Sequence, residues 1–160
     1  GILVLLEGGN IRYINKSYSE MDDIEYLEGV IDVAIGTGHA AGVRFHGTVA
    51  TAGKNTSGQN DVEDWTHVIA ISASNSNTAG LKSDGTVVVA GSDKRGQKDA
   101  NMWEDIAAVS VGPNFIAGFK LDGTVVVAGA VVGGTTPELI EENTKALEAI
   151  ASWSNIGPAS

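Results

Sequence analysis

Short apolar segments alternate with glycine-rich polar turns along almost the whole chain. In residues 68–72 apolar and small side chains alternate, residues 78–82 follow a polar link, and residues 86–90 are a valine-rich run entered through Asp84-Gly85. Asp-Gly between two such segments favours a tight hairpin, because the turn requires positive φ angles that Asp tolerates and Gly adopts readily. The pattern predicts three short antiparallel strands and an all-β chain.

The three-strand pattern is an internal repeat of 38 residues. The segment 80–91 returns at 118–129 with ten of its twelve residues unchanged, and a third copy occupies residues 42–53. Trp65 and Trp103 open two of the copies at the same spacing. The chain is therefore expected to be one domain, residues 1–160, with complete and partial units. The predicted units are 1–26 (partial), 27–64, 65–102, 103–143 and 144–160 (partial), and the last could complete the first.

The shape of a three-stranded sheet dictates how the units pack. Such a sheet cannot bury both of its faces alone, so neighbouring units must cover one another. We therefore predict a β-propeller of about four three-stranded blades of 38 residues each, with a stacked solenoid of strands as the alternative. Thr135 and Glu138 form a capping pattern before apolar residues at helical spacing, which predicts one short helix near residues 137–146.

Composition and charge restrict the possible functions. The 160 residues are 42% apolar and include no cysteine, so we expect one core, without disulfides or thiolate chemistry. Twenty acidic against ten basic residues give a net charge of −10, which repels nucleic acid and anionic bilayers. No apolar run approaches the roughly 20 residues of a membrane-spanning helix. The sequence predicts no nucleic-acid partner and no membrane span, and leaves cytoplasmic and exported locations equally open.

Patterns that would indicate catalysis or metal binding are weak. Residues 36–42 share glycine spacing with a dinucleotide-binding fingerprint, but the repeat places a turn there rather than the required helix. His39, His46 and His67 have no carboxylate or second histidine at the helical spacing of metal ligands. No Gly-x-Ser-x-Gly sequence is present. We therefore predict a protein that is not an enzyme and that uses neither a metal nor a cofactor.

Several motifs resemble the repeat of the regulator of chromosome condensation family in its short bacterial form. They are Trp-x-Asp-Ile-x-Ala-Val-Ser at 103–110, Gly-x-Gly-His at 36–39, Gly-Leu-Lys-Ser-Asp-Gly-Thr-Val at 80–87 and Gly-x-x-x-x-Gly-Gln at 53–59. The resemblance extends to the repeats of the β-lactamase-inhibitory propellers. It implies a propeller fold, commonly of seven blades, more than it implies one function.

Two further expectations follow from that resemblance. With about four units, the chain is expected to form a partial ring, or a ring that a second copy completes as a homodimer. Members of the family include a nucleotide-exchange factor for a small GTPase and binders of proteases and lactamases. The extended hairpin that carries exchange activity has no counterpart here, so the resemblance implies protein binding and not nucleotide exchange.

The predicted function is a non-catalytic recognition module that binds a protein partner through one rim of the propeller. Aromatic anchors and acidic side chains on the loops would provide affinity and electrostatic selection. The alternative is a glycan-binding propeller at a bacterial surface, with shallow pockets between blades. The predicted aromatic anchors are Tyr18, Tyr26, Phe115 and Trp153, and the predicted acidic rim is Asp22, Asp23, Asp61 and Glu63.

Overall fold

The computed structural model describes residues 2–14 and 19–130, and most of the regular secondary structure in this part of the chain is β-strand. Two 3-10 helices, Ser19–Tyr26 and Gln97–Met102, lie in the connections between sheets. The strands of the described residues are β1 (Ile2–Leu5), β2 (Ile11–Ile14), β3 (Val30–Ile35), β4 (His39–Arg44), β5 (Val49–Gly53), β6 (Val68–Ser74), β7 (Asn77–Lys82), β8 (Val87–Gly91), β9 (Ile106–Val111), β10 (Phe115–Lys120) and β11 (Val125–Gly129).

The strands form four consecutive antiparallel sheets, which we call blades 1 to 4. Blade 1 contains β1 and β2, and the other blades contain β3–β4–β5, β6–β7–β8 and β9–β10–β11 in chain order. This arrangement confirms the predicted all-β fold of three-stranded propeller blades. The helix predicted near residues 137–146 and the unit predicted at 144–160 lie outside the described residues. Completion of the ring by a second copy stays a prediction.

The hydrophobic core lies between neighbouring blades. One cluster, which includes Ile11 and Val30, joins blades 1 and 2. A second, which includes Val43 and Val68, joins blades 2 and 3, and a third, which includes Leu81 and Ile116, joins blades 3 and 4. Blades 2 and 3 therefore have two apolar faces each, and every one of these faces is buried by a neighbouring blade.

In each of the three-stranded blades 2 to 4, the first strand is the inner one, where successive blades meet. Strands β3, β6 and β9 contact one another from sheet to sheet. Side chains bridge these strands: Asp32 Oδ2 accepts a hydrogen bond of 2.8 Å from the Ile71 amide, and Ser72 Oγ accepts one of 3.0 Å from the Val111 amide. These bonds satisfy amides at edges that have no further strand to pair with.

The turns between the first and second strands are also linked from blade to blade. Thr37 Oγ1 donates to Asn75 Oδ1 over 3.1 Å, and Asn75 Nδ2 donates to the Pro113 carbonyl over 3.1 Å. Beneath this turn, buried His39 lies with its Nε2 3.0 Å from Thr78 Oγ1. Burial lowers the pKa of His39. These contacts hold the blades together at one end of the sheets. We call this end the turn rim; it consists of the turns at residues 36–38, 75–76 and 112–114.

The tryptophans at the start of two units pack on glycines of the middle strands. A Cβ atom on Gly80 would lie 3.0 Å from Trp65 Cζ3, and one on Gly118 would lie 2.8 Å from Trp103 Cζ3. In blade 2 the indole is replaced by Leu27, and a Cβ on Gly42 would lie 3.4 Å from Leu27 Cδ1, an ordinary van der Waals contact. The sequence pairing of tryptophan with glycine therefore has a steric cause.

This packing predicts different outcomes for the same substitution in two blades. Gly80→Ala forces the added methyl group against Trp65 and should destabilise the protein by about 1–3 kcal/mol. Gly42→Ala meets only ordinary contacts and should cost less than half as much. Urea unfolding of the two variants measures the difference. Equal losses of stability would contradict the steric role of the indole, whereas a less than additive loss in Trp65→Leu/Gly80→Ala would support it.

Candidate functional site

The hairpins between the second and third strands of blades 2 to 4, together with the equivalent β1–β2 hairpin of blade 1, form one rim with the starts of the first strands. The amides of Val30, Val68 and Ile106 donate to the carbonyls of Gly9, Gly47 and Gly85 over 3.1, 3.0 and 2.9 Å. Each bond joins the hairpin turn of one blade to the first strand of the next blade. We call this end the hairpin rim; it consists of residues 6–10, 28–31, 45–48, 66–69, 83–86, 104–107 and 121–124.

A bulge at the start of each first strand turns one side chain towards solvent. The pairing passes directly from Val30 to Asp32 and from Val68 to Ala70, so Ile31 and Ile69 have no cross-strand partner. Both isoleucines are 49% exposed. A bulge at a sheet end commonly redirects a side chain in this way. The repeat therefore presents an aliphatic side chain at the same position of two neighbouring blades.

Two further apolar side chains stand out from the hairpin turns. Phe45 is 75% exposed and Leu121 is 72% exposed, at equivalent positions of blades 2 and 4. Phe45 lies over Gly29, where a Cβ would lie 3.0 Å from Cδ1 of the ring, and its edge contacts the His46 ring with centroids 5.1 Å apart. The phenylalanine is thus supported from below and leaves much of its surface open to solvent.

The aspartates of the hairpin turns are held in their ionised form. Asp84 Oδ1 accepts hydrogen bonds from the Thr86 hydroxyl over 2.6 Å and the Thr86 amide over 3.0 Å. Asp122 makes the same two bonds with Thr124. These donors, the hydroxyl first, hold the pKa of both carboxyls below its usual range. Both turns therefore keep a negative charge at the rim.

Two shallow clefts lie beside the hairpins. In blade 4 a cleft of about 200 Å³ is lined by Met102, Trp103, Glu104, Lys120 and Val126, and we call it the Trp103 cleft. In blade 1 a cleft of about 500 Å³ lies beside the first hairpin. Its lining residues are Leu6, Asn10, Ile11, Arg12 and Glu25. Each cleft combines apolar side chains with charged groups of both signs, as binding clefts commonly do.

The two rims differ in charge. Among the described residues of the hairpin rim, the exposed side chains that carry a charge at pH 7 are all acidic. Of the cations beside them, Arg44, Lys82 and Lys120 are half-buried and Arg12 is exposed. The exposed acids are Glu7, Glu28, Asp84, Glu104, Asp105 and Asp122. The loops beside the turn rim instead expose both signs, with basic side chains at 54, 94, 95 and 98. The hairpin rim is therefore the more acidic end of the described structure.

Those residues predicted from sequence that the structure describes lie outside the hairpin rim. Tyr18 and Trp153 lie outside the described residues. Asp22, Asp23 and Tyr26 belong to the 3-10 helix Ser19–Tyr26. Of these three, only the side chain of Asp23 is described, and it is exposed. Asp61 and Glu63 are exposed on the connection between blades 2 and 3, and Asp61 Oδ1 accepts a hydrogen bond of 2.8 Å from Asn55 Nδ2. Their role as partner contacts stays a prediction.

Phe115 has a packing position that the sequence did not reveal. It begins β10, is half-buried, and its ring occupies the space that a side chain on Gly112 would need. His39 stands at the equivalent place over Gly36. Sequence reasoning missed Ile31, Phe45, Ile69 and Leu121. The repeat offered a signal for Phe45 and Leu121, since both are large apolar residues where the copy at 80–91 has Ser83 in a polar turn.

Metal-binding and membrane-spanning features were also sought in residues 2–14 and 19–130. Within these ranges no group of three histidine, aspartate or glutamate side chains is close enough to hold a metal ion. No helix in the same ranges is sufficiently long and apolar to span a membrane.

Stacked antiparallel sheets of this topology define the described structure as part of a β-propeller. Residues 68–97, which contain most of blade 3 and the loop after it, match the regulator of chromosome condensation (RCC1) repeat. The described structure is therefore a β-propeller that contains an RCC1-type repeat, as the resemblance implied. The bacterial and lactamase-inhibitor aspects of that resemblance stay expectations.

Solved structures show the same fold. Prp20p from Saccharomyces cerevisiae is 17% identical with a TM-score of 0.55, over 65% of this chain and 34% of that one. Human WBSCR16 is 14% identical with a TM-score of 0.52, over 62% of this chain and 35% of that one. The match thus spans about a third of each neighbour's length, and at this identity it concerns the fold alone. No curated protein sequence matches the chain.

The hairpin geometry predicts that one substitution will raise the pKa of Asp84. Thr86→Val deletes the hydroxyl donor, so the pKa of Asp84 should rise towards its ordinary value, while the pKa of Asp122 should not change. Because the folded pKa is depressed, the turn's stabilising contribution is present above the ordinary carboxyl pKa and is lost as pH falls through the folded one. Carbon NMR titration of both carboxyls provides the measurement. An unchanged pKa of Asp84 would contradict this account.

Proposed function

We propose that the chain is a non-catalytic propeller module that binds a protein partner through its hairpin rim. The observation that carries the proposal is that five large exposed apolar side chains lie on this one rim: Leu6, Ile31, Phe45, Ile69 and Leu121. Isolated apolar residues are common on protein surfaces, but a group on one rim, surrounded by charged groups, is typical of an interaction site.

The repeat explains how such a site could be both exposed and rigid. Ile31 and Ile69 project from bulges, and Phe45 and Leu121 project from hairpins whose backbone is tied to the start of the first strand of the same blade. The Phe45 amide donates to Gly29 and the Leu121 amide to Asp105, each over 2.8 Å. A rigid scaffold lowers the entropy lost on binding, so exposed anchors on it favour affinity.

A structural neighbour supports the protein-binding class. Prp20p, which has a similar fold, has binding properties towards Gsp1p and histones. Function does not follow from fold alone, so this neighbour supplies a precedent for protein binding by such a propeller rather than a partner for this chain. The exposed apolar rim is the feature of this chain that makes protein binding the favoured proposal over glycan binding.

A display library of random peptides tests the proposal directly. Peptides selected on the purified chain should lose about 30-fold or more in affinity on the double variant Phe45→Ser/Leu121→Ser, as expected for central anchors. Both side chains are exposed, so the fold should not depend on them. Ile14→Ser is the control, since Ile14 is 52% exposed at the opposite end of blade 1. It should leave binding unchanged.

Two outcomes would count against this function. Selected peptides that bind the double variant as tightly as the unchanged chain would show that the hairpin rim is not the binding surface. Selective sugar binding on a glycan array, together with no selected peptide, would favour the glycan-binding alternative.

A further inference from the structure

The Trp103 cleft stands out from the rest of the hairpin rim because apolar and acidic groups converge there. Trp103 and Val126 pack against the core cluster between blades 3 and 4, so they form a fixed base for the cleft. Met102, at its edge, is 84% exposed. The cleft therefore has a rigid floor and an adaptable wall, since methionine is flexible and polarisable.

Acidic groups surround this cleft on the side of the rim. Glu104 lines it, and the carbonyl of Asp105 accepts a hydrogen bond of 2.8 Å from the Leu121 amide, which places Asp105 beside the hairpin of blade 4. Asp122 lies in that hairpin, and the turn of Asp84 is tied to the start of β9 through the bond from Ile106 to Gly85. One exposed acid, Glu104, thus lines the cleft, and three more, Asp84, Asp105 and Asp122, lie on neighbouring segments of the hairpin rim.

Two lysines offset part of this negative charge. The positive charge of Lys82 contributes to the low pKa of Asp84. The other lysine is Lys120. It is half-buried in the cleft wall, and its positive charge contributes to the low pKa of Asp122. The remaining acids, including Glu104 and Asp105, are exposed to solvent. A ligand that enters the cleft therefore meets an apolar floor and a negative surround.

We propose that the Trp103 cleft receives an apolar side chain from a basic segment of the partner protein. The proposal rests on protein binding at the hairpin rim and adds the chemistry of the partner. The apolar floor favours an aliphatic or aromatic side chain, because its burial removes apolar surface from water. The surrounding acids favour neighbouring lysine or arginine and disfavour an acidic segment, which like charges would repel.

Defined peptides provide the test. One short peptide alternates leucine with lysine, a second replaces each lysine with glutamate, and a third replaces each leucine with serine. Fluorescence anisotropy should detect binding of the first only. Its affinity should fall as salt rises from about 0.05 to about 0.5 M, because exposed charges are screened. Equal binding of the glutamate peptide would overturn the proposal.

A site-specific signal separates cleft binding from general attraction to an acidic protein. Fluorotryptophan incorporation gives three fluorine resonances, because the chain has three tryptophans. Trp→Phe variants assign them. The basic peptide should shift the Trp103 resonance at the concentrations at which anisotropy reports binding. A shift confined to Trp65 or Trp153 would overturn the proposed location.

Paired acid-to-amide variants complete the design. Glu104→Gln/Asp105→Asn should weaken the basic peptide about three- to ten-fold. Asparagine suits the positive φ of 59° at position 105, so the fold should be retained. The control Asp64→Asn/Asp93→Asn removes the same charge from exposed connections away from the rim, and should have little effect. Asparagine suits position 93, because Asn55 accepts the equivalent backbone hydrogen bond in the preceding copy. Equal losses in both variants would indicate non-specific charge attraction and would overturn the proposal.

The library selection distinguishes the failure of this inference from the failure of the proposed function. Selected peptides that depend on Phe45 and Leu121 but carry acidic or uncharged sequences would leave rim binding intact and overturn only the basic-partner inference. If no selected peptide depends on the hairpin rim, both the proposed function and the basic-partner inference are contradicted.

Discussion

The burial of each sheet by its neighbour is the constraint on which the rest of the structure depends. Strand β4 shows it directly, because Ala40 packs in the cluster towards blade 1 and the adjacent Ala41 packs in the cluster towards blade 3. A strand with two apolar faces is stable only between two other sheets. The hydrogen bonds from hairpin turns to the next strand starts, and the exposed anchors that those turns carry, follow from this stacking.

Much of the fold could be predicted from sequence because the same pattern of strands and turns occurs in three copies. The segments predicted at 68–72, 78–82 and 86–90 correspond to strands Val68–Ser74, Asn77–Lys82 and Val87–Gly91. The bulges could not be predicted, since one extra residue does not disturb the apolar alternation enough to be recognised. The 3-10 helix Gln97–Met102 was equally hidden in a polar segment without periodicity, although its Gln97 and Ala100 are buried.

The candidate site was less predictable than the fold, and two phenylalanines show why. Phe115 and Phe45 are chemically identical, but Phe115 begins a middle strand and lies half-buried against Gly112, whereas Phe45 lies at a hairpin turn and is 75% exposed. Residue type suggests an anchor in both cases. Only the position within the blade decides which ring meets solvent, and that position depends on pairing register and on the backbone of neighbouring blades.

The polar bridges between blades have a consequence for folding fidelity. Blades 3 and 4 are so similar in sequence that either could associate with the wrong neighbour, a characteristic error of repeat proteins. Asp32 bridges blades 2 and 3, Ser72 bridges blades 3 and 4 at a different position, and the pairing of buried His39 with Thr78 occurs at one junction. Exchange of blades 3 and 4 would bring Ile116, which the repeat aligns with Thr78, to buried His39 and leave its ring nitrogen without that partner. Near-identical modules therefore assemble in a defined sequence.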